Sequence, residues 1–278
     1  MQLFAKKSLG QHFLNSKHVL GQIIAAGNIT IGQNILEIGP GTGILTTELL
    51  NAGAVVTAVE KDDRSIELLK EKFAPEIASS QLKLVHGDIL DESLPTSNSL
   101  LPSPYSLIAN IPYYITGAIL EKFLEHEPRP QKMVLLVQKE VADRIIARPE
   151  QSTGKSKESI LSISVKVFGT PKMIAKVPPG AFTPPPTVDS AILSIENISA
   201  DAFKKVLNAN PRGISQFFSV VRAGFAHKRK ILKRNLEAVL DKQDINRIWT
   251  HLNLDEKVRA EDLRPQDWIN INDLLNTL

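Results

Sequence analysis

A glycine-rich turn limits the fold of this chain more than any other part of the sequence. Gly39-Pro40-Gly41-Thr42-Gly43 separates two short apolar segments, of which residues 34–38 are predicted to form a buried strand and residues 44–50 a helix. Glycines let the backbone approach a ligand closely, because they carry no Cβ atom. The N–H groups at the start of the helix then point at that ligand. The pattern predicts a strand–turn–helix unit that either binds a ligand or forms a tight turn without one.

The glycine spacing, G-x-G-x-G, differs from the G-x-G-x-x-G of dinucleotide-binding turns, because Ile44 stands where the last glycine would be. A second buried strand is predicted over residues 54–59 and ends at Glu60. An acid at this distance from the turn can accept hydrogen bonds from ribose hydroxyls. The alternative is a surface acid paired with Lys61. The cofactor-binding candidates at this stage are Gly39, Gly41 and Glu60.

A third strand, predicted over residues 82–85, leads to Asp88. Open α/β sheets bind their ligands at the carboxyl ends of the strands. There the Asp88 carboxylate can accept a hydrogen bond from an adenine amino group. The alternative is an Asx turn after a strand.

A fourth strand, predicted over residues 105–109, ends at Asn110-Ile111-Pro112-Tyr113. The exocyclic amine of adenine is a poor nucleophile, because its lone pair is delocalised into the ring. If the Asn110 side-chain oxygen and the Ile111 carbonyl accept its N–H groups, the nitrogen can pyramidalise and direct its lone pair at a methyl donor. Pro112 stiffens the turn, and Tyr113 offers a flat face for the base. The tetrapeptide predicts catalysis by orientation and charge stabilisation, without a strong base.

The composition excludes several classes of protein. The chain contains no cysteine, which rules out disulfides, thiolate metal sites and cysteine nucleophiles, and its histidines lack metal-ligand spacing. No metal is therefore expected. No apolar run reaches membrane-spanning length and no signal peptide is recognisable, so we expect a soluble, cytoplasmic protein without a membrane partner. A net charge of +3 indicates a nucleic-acid partner only if the basic residues cluster.

Other segments of the first domain give local predictions. A helix is predicted over residues 17–26, with Ser16 as its N-cap and Gly27 at its end. Polar, Pro/Ser-rich or Ser/Lys/Gly-rich composition predicts surface loops at residues 94–104 and 148–159.

A proline-rich loop with three consecutive prolines is predicted to hold Phe182 rigidly between the last two strands, residues 173–177 and 191–195. A pre-ordered aromatic ring can stack on an extruded base, so that Tyr113 and Phe182 would enclose the adenine. The alternative is a core phenylalanine.

The chain resembles the KsgA-type ribosomal RNA adenine dimethyltransferases over nearly its whole length. The resemblance rests on the glycine turn, Glu60, Gly87-Asp88, Asn110 to Tyr113, Lys7-Ser8-Leu9-Gly10-Gln11-His12-Phe13-Leu14, and the segment from Pro178 to Ser190. It implies an α/β fold with a Rossmann-like, seven-stranded, S-adenosylmethionine-dependent methyltransferase domain. A composition shift near residues 197–202 marks the domain boundary, so that this domain is expected over residues 1–198. A small all-α, RNA-binding domain is expected over residues 199–278.

The resemblance also implies a cofactor site and a substrate. S-adenosyl-L-methionine, which leaves as S-adenosyl-L-homocysteine, would contact His12, Leu14, Gly39, Glu60, Asp88 and Asn110. The substrate would be N6 of two adjacent adenosines in the 3′-terminal hairpin of 16S rRNA, within an immature small ribosomal subunit during 30S biogenesis. We expect a monomeric enzyme. Residues 160–168 alternate like a strand, whereas the resemblance implies a helix, which we adopt.

Basic residues cluster in the predicted second domain, where every charged residue from 212 to 234 is Lys or Arg. On one continuous helix, Arg222, Arg229 and Lys233 would lie opposite an apolar face. Lys228 falls near that apolar face, which predicts a break around His227. The cluster is either a solvated surface or a contact to RNA phosphates, and we favour the latter. The predicted RNA-binding residues are Arg222, Lys228, Arg229, Lys230 and Lys233.

Two other interpretations remain. Macrolide-resistance methyltransferases, which modify an adenine in large-subunit RNA, share the Asn110–Tyr113 turn, but the run from Phe217 to Phe225 followed by Lys228-Arg229-Lys230 resembles the small-subunit family. A ribosome-assembly or transcription factor could keep the fold without the chemistry. The intact tetrapeptide argues against that possibility.

Overall fold

The fold is described from a computed structural model that covers residues 10–91, 102–147, 157–210 and 212–276, without the side chains of residues 205, 206 and 209. Most of the two predicted surface loops lies outside these residues, as do Lys7, Ser8 and Leu9.

The described chain forms two compact units. The first contains residues up to Ala142 together with Thr170–Ile198, and the second contains Asp143–Gly169 together with the residues from Ser199 onward. Residues 143–169, which the sequence analysis assigned to the first domain, therefore group with the second unit. The reason is that Phe168 packs against Phe203 and Phe218, with ring centroids 5.3 and 6.1 Å apart.

Two sheets form in the first unit. The strands are β1 (Phe13–Leu14), β2 (Asn34–Ile38), β3 (Val55–Glu60), β4 (Leu82–His86), β5 (Tyr105–Asn110), β6 (Lys132–Gln138), β7 (Thr170–Val177), β8 (Phe182–Thr183) and β9 (Ser190–Glu196). The seven-stranded sheet has the order β4-β3-β2-β5-β6-β9-β7. Its first five strands are parallel, whereas β9 runs antiparallel to both β6 and β7. The predicted seven-stranded, mostly parallel sheet is confirmed.

The strand order explains where a ligand can bind. From β2 the chain proceeds outward to β3 and β4 and then returns to β5 on the other side of β2. In open α/β sheets the crevice at such a reversal lies beyond the carboxyl ends of the strands. The residues that follow β2, β3, β4 and β5 are therefore brought to one edge of the sheet.

The described helices are α1 (Lys17–Gly27), α2 (Ile44–Asn51), α3 (Asp63–Lys72), α4 (Ala74–Ala78), α5 (Thr116–Glu125), α6 (Lys139–Ile146), α7 (Ile160–Lys166), α8 (Lys204–Ala209), α9 (Gly213–Phe225), α10 (Leu232–Leu236), α11 (Lys242–Leu252) and α12 (Pro265–Asn276). None of them combines the length and the apolar character needed to cross a bilayer.

Helix α1 begins as predicted, because the Ser16 side chain accepts a hydrogen bond from the Val19 N–H. It ends one residue later than predicted. Asn28, with φ of 48°, adopts the left-handed conformation that terminates the helix. Gly27 packs closely on β5, since a Cβ atom there would lie 2.8 Å from Cδ1 of Ile108 and would push that side chain aside.

The conflict at residues 160–168 is resolved in favour of the helix. Ser159 and Ser162 form a capping box, in which each side chain bonds the other residue's backbone N–H, at 3.1 and 2.7 Å. The alternating apolar pattern wrongly predicted a strand, because the intervening serines Ser162 and Ser164 are also buried and leave no polar face. The capping box at the N-terminus of α7 thus indicates the helix, although the apolar residues alternate as they would in a strand.

The predicted break in the basic segment is also present. Helix α9 ends at Phe225, and residues 226–231 connect it to α10. Arg229 and Lys233 therefore do not share a helical face with Arg222, which corrects that part of the prediction.

Candidate active site

An open cavity of about 200 Å³ lies where β2, β3, β4 and β5 end. It collects polar groups that are distant in sequence, as expected for a site at a strand-order reversal. The predicted residues that line it are His12, Gly39, Gly41, Glu60, Asp88, Asn110, Ile111, Pro112 and Tyr113. Leu14 and Phe182 are not among the lining residues.

The glycine turn takes a shape that only glycine adopts without strain. Gly39, Gly41 and Gly43 have φ of 65°, 57° and 72°, all in the left-handed region. A Cβ atom on Gly43 would also lie 2.5 Å from the Phe73 ring, whereas one on Gly39 would meet nothing within 4 Å. The turn is thus packed closely on its protein side and open at Gly39, which lines the cavity.

The Glu60 carboxylate ties the glycine turn to the end of β3. Its Oε2 accepts a hydrogen bond from the Gly41 N–H at 2.9 Å, and its Oε1 accepts one from the Asp62 N–H at 2.8 Å. The residue is 6% exposed. Because each carboxylate oxygen has two lone pairs, both oxygens keep capacity for ligand hydroxyls. Glu60 therefore supports the turn as well as facing the cavity, whereas its position in the sequence predicted only the second property.

Asp62 was not singled out from the sequence. It caps α3 by accepting from the Arg64 N–H, pairs with the Arg64 guanidinium at 2.6 Å, and accepts from Gln11 Nε2 at 3.2 Å. The hydrogen bonds from Arg64 lower the pKa of Asp62 to about 2, although burial opposes them. Gln11 lines the cavity, so Asp62 links the end of β3 to the N-terminal segment. A capping Asp followed two residues later by Arg was the only signal in the sequence.

The Asp88 carboxylate is engaged on both oxygens. Its Oδ1 accepts from the Leu90 N–H at 3.0 Å, and its Oδ2 pairs with Lys61 Nζ at 2.7 Å. The hydrogen bond from Lys61 lowers the pKa of Asp88. The Asx turn and the acid facing the cavity were considered as alternatives, yet Asp88 has both features. Lys61 pairs with Asp88 and not with Glu60.

The Asn110 side chain is oriented by the backbone of residue 12. Its Nδ2 donates to the His12 carbonyl oxygen at 3.1 Å. Because a carbonyl oxygen can only accept, this contact determines which way the amide points. Within the described parts of the chain, Asn110 Oδ1 receives no hydrogen bond, so it is available to a donor in the cavity that Asn110 lines.

Two aromatic rings lie beside Asn110. The Tyr113 hydroxyl is 2.5 Å from Ser190 Oγ, and its ring is stacked on the His12 ring with centroids 5.9 Å apart. Burial raises the pKa of Tyr113, although the Ser190 hydrogen bond opposes this. The His12 Nδ1 atom lies 2.8 Å from the Pro184 carbonyl and must donate to it, which leaves Nε2 as the acceptor of a neutral ring.

Phe182 and Leu14 occupy positions that differ from their predicted roles. They pair in the small antiparallel sheet of β1 and β8, and each is 3% exposed within the hydrophobic core. Phe182 is thus the core residue that the sequence analysis considered as its alternative. Antiparallel pairing of two short strands turns both side chains inward, so neither reaches the cavity.

The segment around Phe182 instead anchors the N-terminal strap, defined as residues 10–15. Asn15 donates from Nδ2 to Thr183 Oγ1 at 2.7 Å and from its backbone N–H to the Ala181 carbonyl at 2.9 Å. His12 bonds Pro184 in the same segment. Since His12 also holds Asn110, the proline-rich loop positions the strap and, through it, the Asn110 amide.

A second acid is buried behind the glycine turn. Glu37 of β2 is 1% exposed, and its Oε2 has no hydrogen-bond partner among the described residues. Burial raises the pKa of Glu37 to about 8, whereas Thr46 and Lys72 act in the opposite direction. The carboxyl group of Glu37 is therefore mostly protonated at neutral pH.

Replacing Glu37 with glutamine should raise the free energy of unfolding by about 3 kcal/mol at pH 8 and by less than about 1 kcal/mol at pH 5. In the unfolded chain the pKa of a glutamate is near 4.5, whereas burial raises the pKa of Glu37 to about 8 in the folded protein. Wild-type stability therefore falls as pH rises between these values, and glutamine abolishes that fall. Denaturant unfolding at both pH values measures the difference. Glu67→Gln, at an exposed site, is the control; an equal gain at both pH values would contradict the assignment.

The predicted RNA-binding residues of the second unit differ in their surroundings. Lys228, Arg229 and Lys230 are exposed, and in the described chain none of them has a carboxylate partner. Lys233 instead pairs with Glu256 at 3.0 Å and lies over the Trp249 ring, with only 27% of its side chain exposed. The ammonium group of Lys233 is thus already engaged within the second unit, which weakens its predicted role. Arg222 is exposed and lies beside the Phe218 ring.

The described residues contain no group of three or more His, Cys, Asp or Glu side chains that could hold a metal ion.

The fold and the cavity together define a class of protein. A glycine turn after the first parallel strand, acids after the second and third, and an Asn-Ile-Pro-Tyr turn after the fourth are arranged around one cavity, as in Rossmann-like methyltransferases. The family model described as "Ribosomal RNA adenine dimethylase" matches residues 3–277. The chain belongs to this family.

Individual relatives agree with the family match. The chain is 40% identical to the ribosomal RNA small subunit methyltransferase A of Dehalococcoides mccartyi, over 96% of this chain and 87% of the relative. It is 37% identical to the protein of the same name from Rippkaea orientalis, over 98% of each chain.

Two solved structures share the fold. A dimethyladenosine transferase from Plasmodium falciparum has a TM-score of 0.74 at 27% identity, covering 94% of this chain and 96% of that one. The 23S rRNA methyltransferase ErmE has a TM-score of 0.69 at 22% identity, covering 95% and 100%. ErmE, which is named for 23S rRNA, shares this fold with a chain whose relatives are named for the small subunit. The fold alone therefore does not distinguish the substrates.

Proposed function

We propose that this protein transfers methyl groups from S-adenosylmethionine to N6 of two adjacent adenosines in the 3′-terminal hairpin of 16S rRNA. The observation that supports it most directly is the Asn110 amide, whose donor side is held by His12 and whose acceptor side is available in the cavity. The whole-chain identity to small subunit methyltransferases favours 16S rRNA over 23S rRNA as the substrate. The proposed substrate is an immature small subunit, which implies a cytoplasmic enzyme, and we propose that it acts as a monomer.

The cavity suits S-adenosylmethionine, which supplies an electrophilic methyl group when bound. Gly39 leaves open space where a side chain would otherwise project. Glu60 would accept hydrogen bonds from the ribose hydroxyls, and Asp88 would accept one from the adenine amino group. Both acids are held in place by N–H or ammonium donors. His12, Gly39 and Gly41 complete the proposed cofactor site.

The residues of the tetrapeptide orient the target adenine. Asn110 Oδ1 and the Ile111 carbonyl accept the two N–H groups of the amine, which frees its lone pair for attack. Tyr113, whose hydroxyl is fixed by Ser190, offers its ring to the base. The proton is lost only after attack has made the nitrogen cationic, so no buried base is needed. Catalysis then consists of orientation and of hydrogen bonds to the developing positive charge.

Methyl transfer from labelled S-adenosylmethionine to purified, unmodified small subunits tests the proposal, with purified large subunits as the comparison. We expect label in two adjacent adenosines near the 3′ end of 16S rRNA. Label in the large subunit alone would favour 23S rRNA modification. Absence of transfer to either subunit, with RNA binding retained, would favour a non-enzymatic role.

Replacing Thr183 with valine should lower kcat about three- to tenfold, with a smaller change in KM for S-adenosylmethionine. Valine keeps the shape of threonine but cannot accept the 2.7 Å hydrogen bond from Asn15, so the strap that orients Asn110 loosens. Steady-state kinetics on small subunits measure the effect. Thr183→Ser should restore the rate, and Thr30→Val, beyond the amino end of β2, is the control. A serine variant as slow as the valine variant would contradict the positioning role.

A further inference from the structure

The basic loop, defined as residues 227–230, lies within the connection between α9 and α10 and carries Lys228, Arg229 and Lys230. All its residues are exposed, and in the described part of the second unit none of the three cations is ion-paired. An exposed loop with unpaired cations binds phosphates well only if its shape is fixed, because otherwise ordering it costs binding free energy. The structure contains such a fixing element.

Asn235 of α10 is that element. It is 4% exposed, and its Nδ2 donates to the carbonyl oxygens of Gly224 at 2.6 Å and of His227 at 3.2 Å. Gly224 lies in the last turn of α9, where the final carbonyls lack partners within the helix. One buried amide thus closes the end of α9 and holds the first residue of the basic loop.

Neighbouring contacts leave this geometry little freedom. A Cβ atom on Gly224 would lie 2.4 Å from the Trp268 ring, so the end of α9 is packed directly on α12. Within the loop the Lys230 N–H bonds the His227 carbonyl at 2.9 Å, and just beyond it the Leu232 N–H bonds the Val258 carbonyl at 2.8 Å. His227 therefore receives hydrogen bonds from both Asn235 and Lys230.

We propose that Asn235 is a positioning residue for RNA binding: its buried amide holds the basic loop in the shape that presents Lys228, Arg229 and Lys230 to RNA phosphates. This inference rests on the proposed RNA substrate. Asn235 carries no charge and is buried, so it acts through the loop and not by touching RNA. Removing it should weaken RNA binding as if cations had been lost, although the charge of the protein is unchanged.

The test compares binding of the full-length wild-type protein and its variants to unmodified small subunits at several salt concentrations. Replacing Lys228, Arg229 and Lys230 together with alanine should reduce the magnitude of the negative slope of log K against log salt by about 2 to 3. Asn235→Ala should lower it by about 1 or more and weaken binding about tenfold at low salt. Asn276→Ala, which also removes side-chain hydrogen bonds within the second unit, should leave both unchanged.

Two further measurements distinguish positioning from a general loss of structure. In the triple-alanine background, Asn235→Ala should change the affinity for RNA less than about twofold, because the loop no longer carries cations that could contact phosphates. Trypsin, which cleaves after Lys and Arg, should cut the basic loop faster in Asn235→Ala than in wild type or Asn276→Ala. If Asn235→Ala unfolds at the assay temperature, Asn235→Ser is tested in its place. Serine keeps one hydrogen-bond donor on a shorter side chain. Its salt slope and its rate of tryptic cleavage should lie between those of wild type and those expected for a complete loss of the amide.

The outcomes separate this inference from the proposed function, which fails if the wild-type protein itself does not bind unmodified small subunits. Normal binding by the triple-alanine variant would contradict the RNA role of the loop. Weakened binding by the triple variant, with wild-type affinity and slope for Asn235→Ala, would overturn only the role of Asn235. An effect of Asn235→Ala that adds in full to that of the triple variant would overturn it as well.

Discussion

Asn110→Ala is expected to lower the rate of methyl transfer about 10²- to 10³-fold, the range seen when a preorganised transition-state hydrogen bond is removed. Among the residues that the structure describes, the Asn110 side chain is held from one side only, by the 3.1 Å hydrogen bond from Nδ2 to the His12 carbonyl. Alanine removes the Oδ1 acceptor proposed for the adenine amine and also releases the strap. Single-turnover assays with small subunits and saturating S-adenosylmethionine measure the chemical step separately from cofactor binding.

Asn34→Ala is the matched control for this variant. Asn34 lies at the opposite end of the sheet, and its Nδ2 also donates to a backbone carbonyl, that of Pro104, at 3.3 Å. The Asn34→Ala variant should therefore lose a comparable hydrogen bond and keep the wild-type rate of methyl transfer. A wild-type rate for Asn110→Ala would reject the proposed site. Asn110→Asp tests the donor function of the amide separately from its acceptor function. A carboxylate keeps an acceptor for the adenine amine but cannot donate to the His12 carbonyl. We expect this variant to transfer methyl groups slowly as well.

Glu60→Gln is expected to weaken binding of S-adenosylmethionine at least about tenfold and to lower the free energy of unfolding by about 2 kcal/mol. Both carboxylate oxygens accept backbone N–H groups, from Gly41 and Asp62. In glutamine one of these oxygens becomes an NH₂ group, so a donor faces a donor at a site that is 6% exposed. The glycine turn and the proposed ribose acceptor are therefore disturbed by the same substitution.

The measurements for this variant are cofactor titration and denaturant unfolding. Glu71→Gln, at an exposed position of α3, is the control and should change neither quantity. If Glu60→Gln loses stability but binds S-adenosylmethionine normally, Glu60 supports the turn without contacting the ribose. If it retains both stability and affinity, the geometric argument for Glu60 fails.

The polar residues around the cavity were largely predictable, because parallel strands bring their carboxyl ends to one edge of a sheet. Glu60 and Asn110 end β3 and β5, and Asp88 lies just beyond β4. Apolar runs made these strands recognisable, and all three residues line the cavity. Their functional roles remain predictions. Asp62 and Gln11 escaped notice, since their contact joins residues 51 positions apart and leaves no local pattern.

Local sequence did not decide whether certain residues contact a ligand or pack within the protein. Phe182 in a proline-rich loop fits a base-stacking ring and a core residue equally well, and only its pairing with Leu14 places it in the core. The sequence around Lys233 is compatible with a phosphate contact. In the folded chain, however, Glu256 and Trp249 lie beside its ammonium group. In both cases the deciding neighbour is distant in the chain.

The sequence by itself determined the order of strands and helices, the glycine turn and the positions of the polar groups that follow each strand. These depend on apolar periodicity, on caps and on backbone conformations that glycine alone tolerates, all of which act within a few residues. Tertiary structure alone decided which side chains are buried, how the Asn110 amide is turned, and how the basic loop is held by Asn235. Those outcomes depend on hydrogen bonds and packing between segments that the sequence separates and only the folded chain brings together.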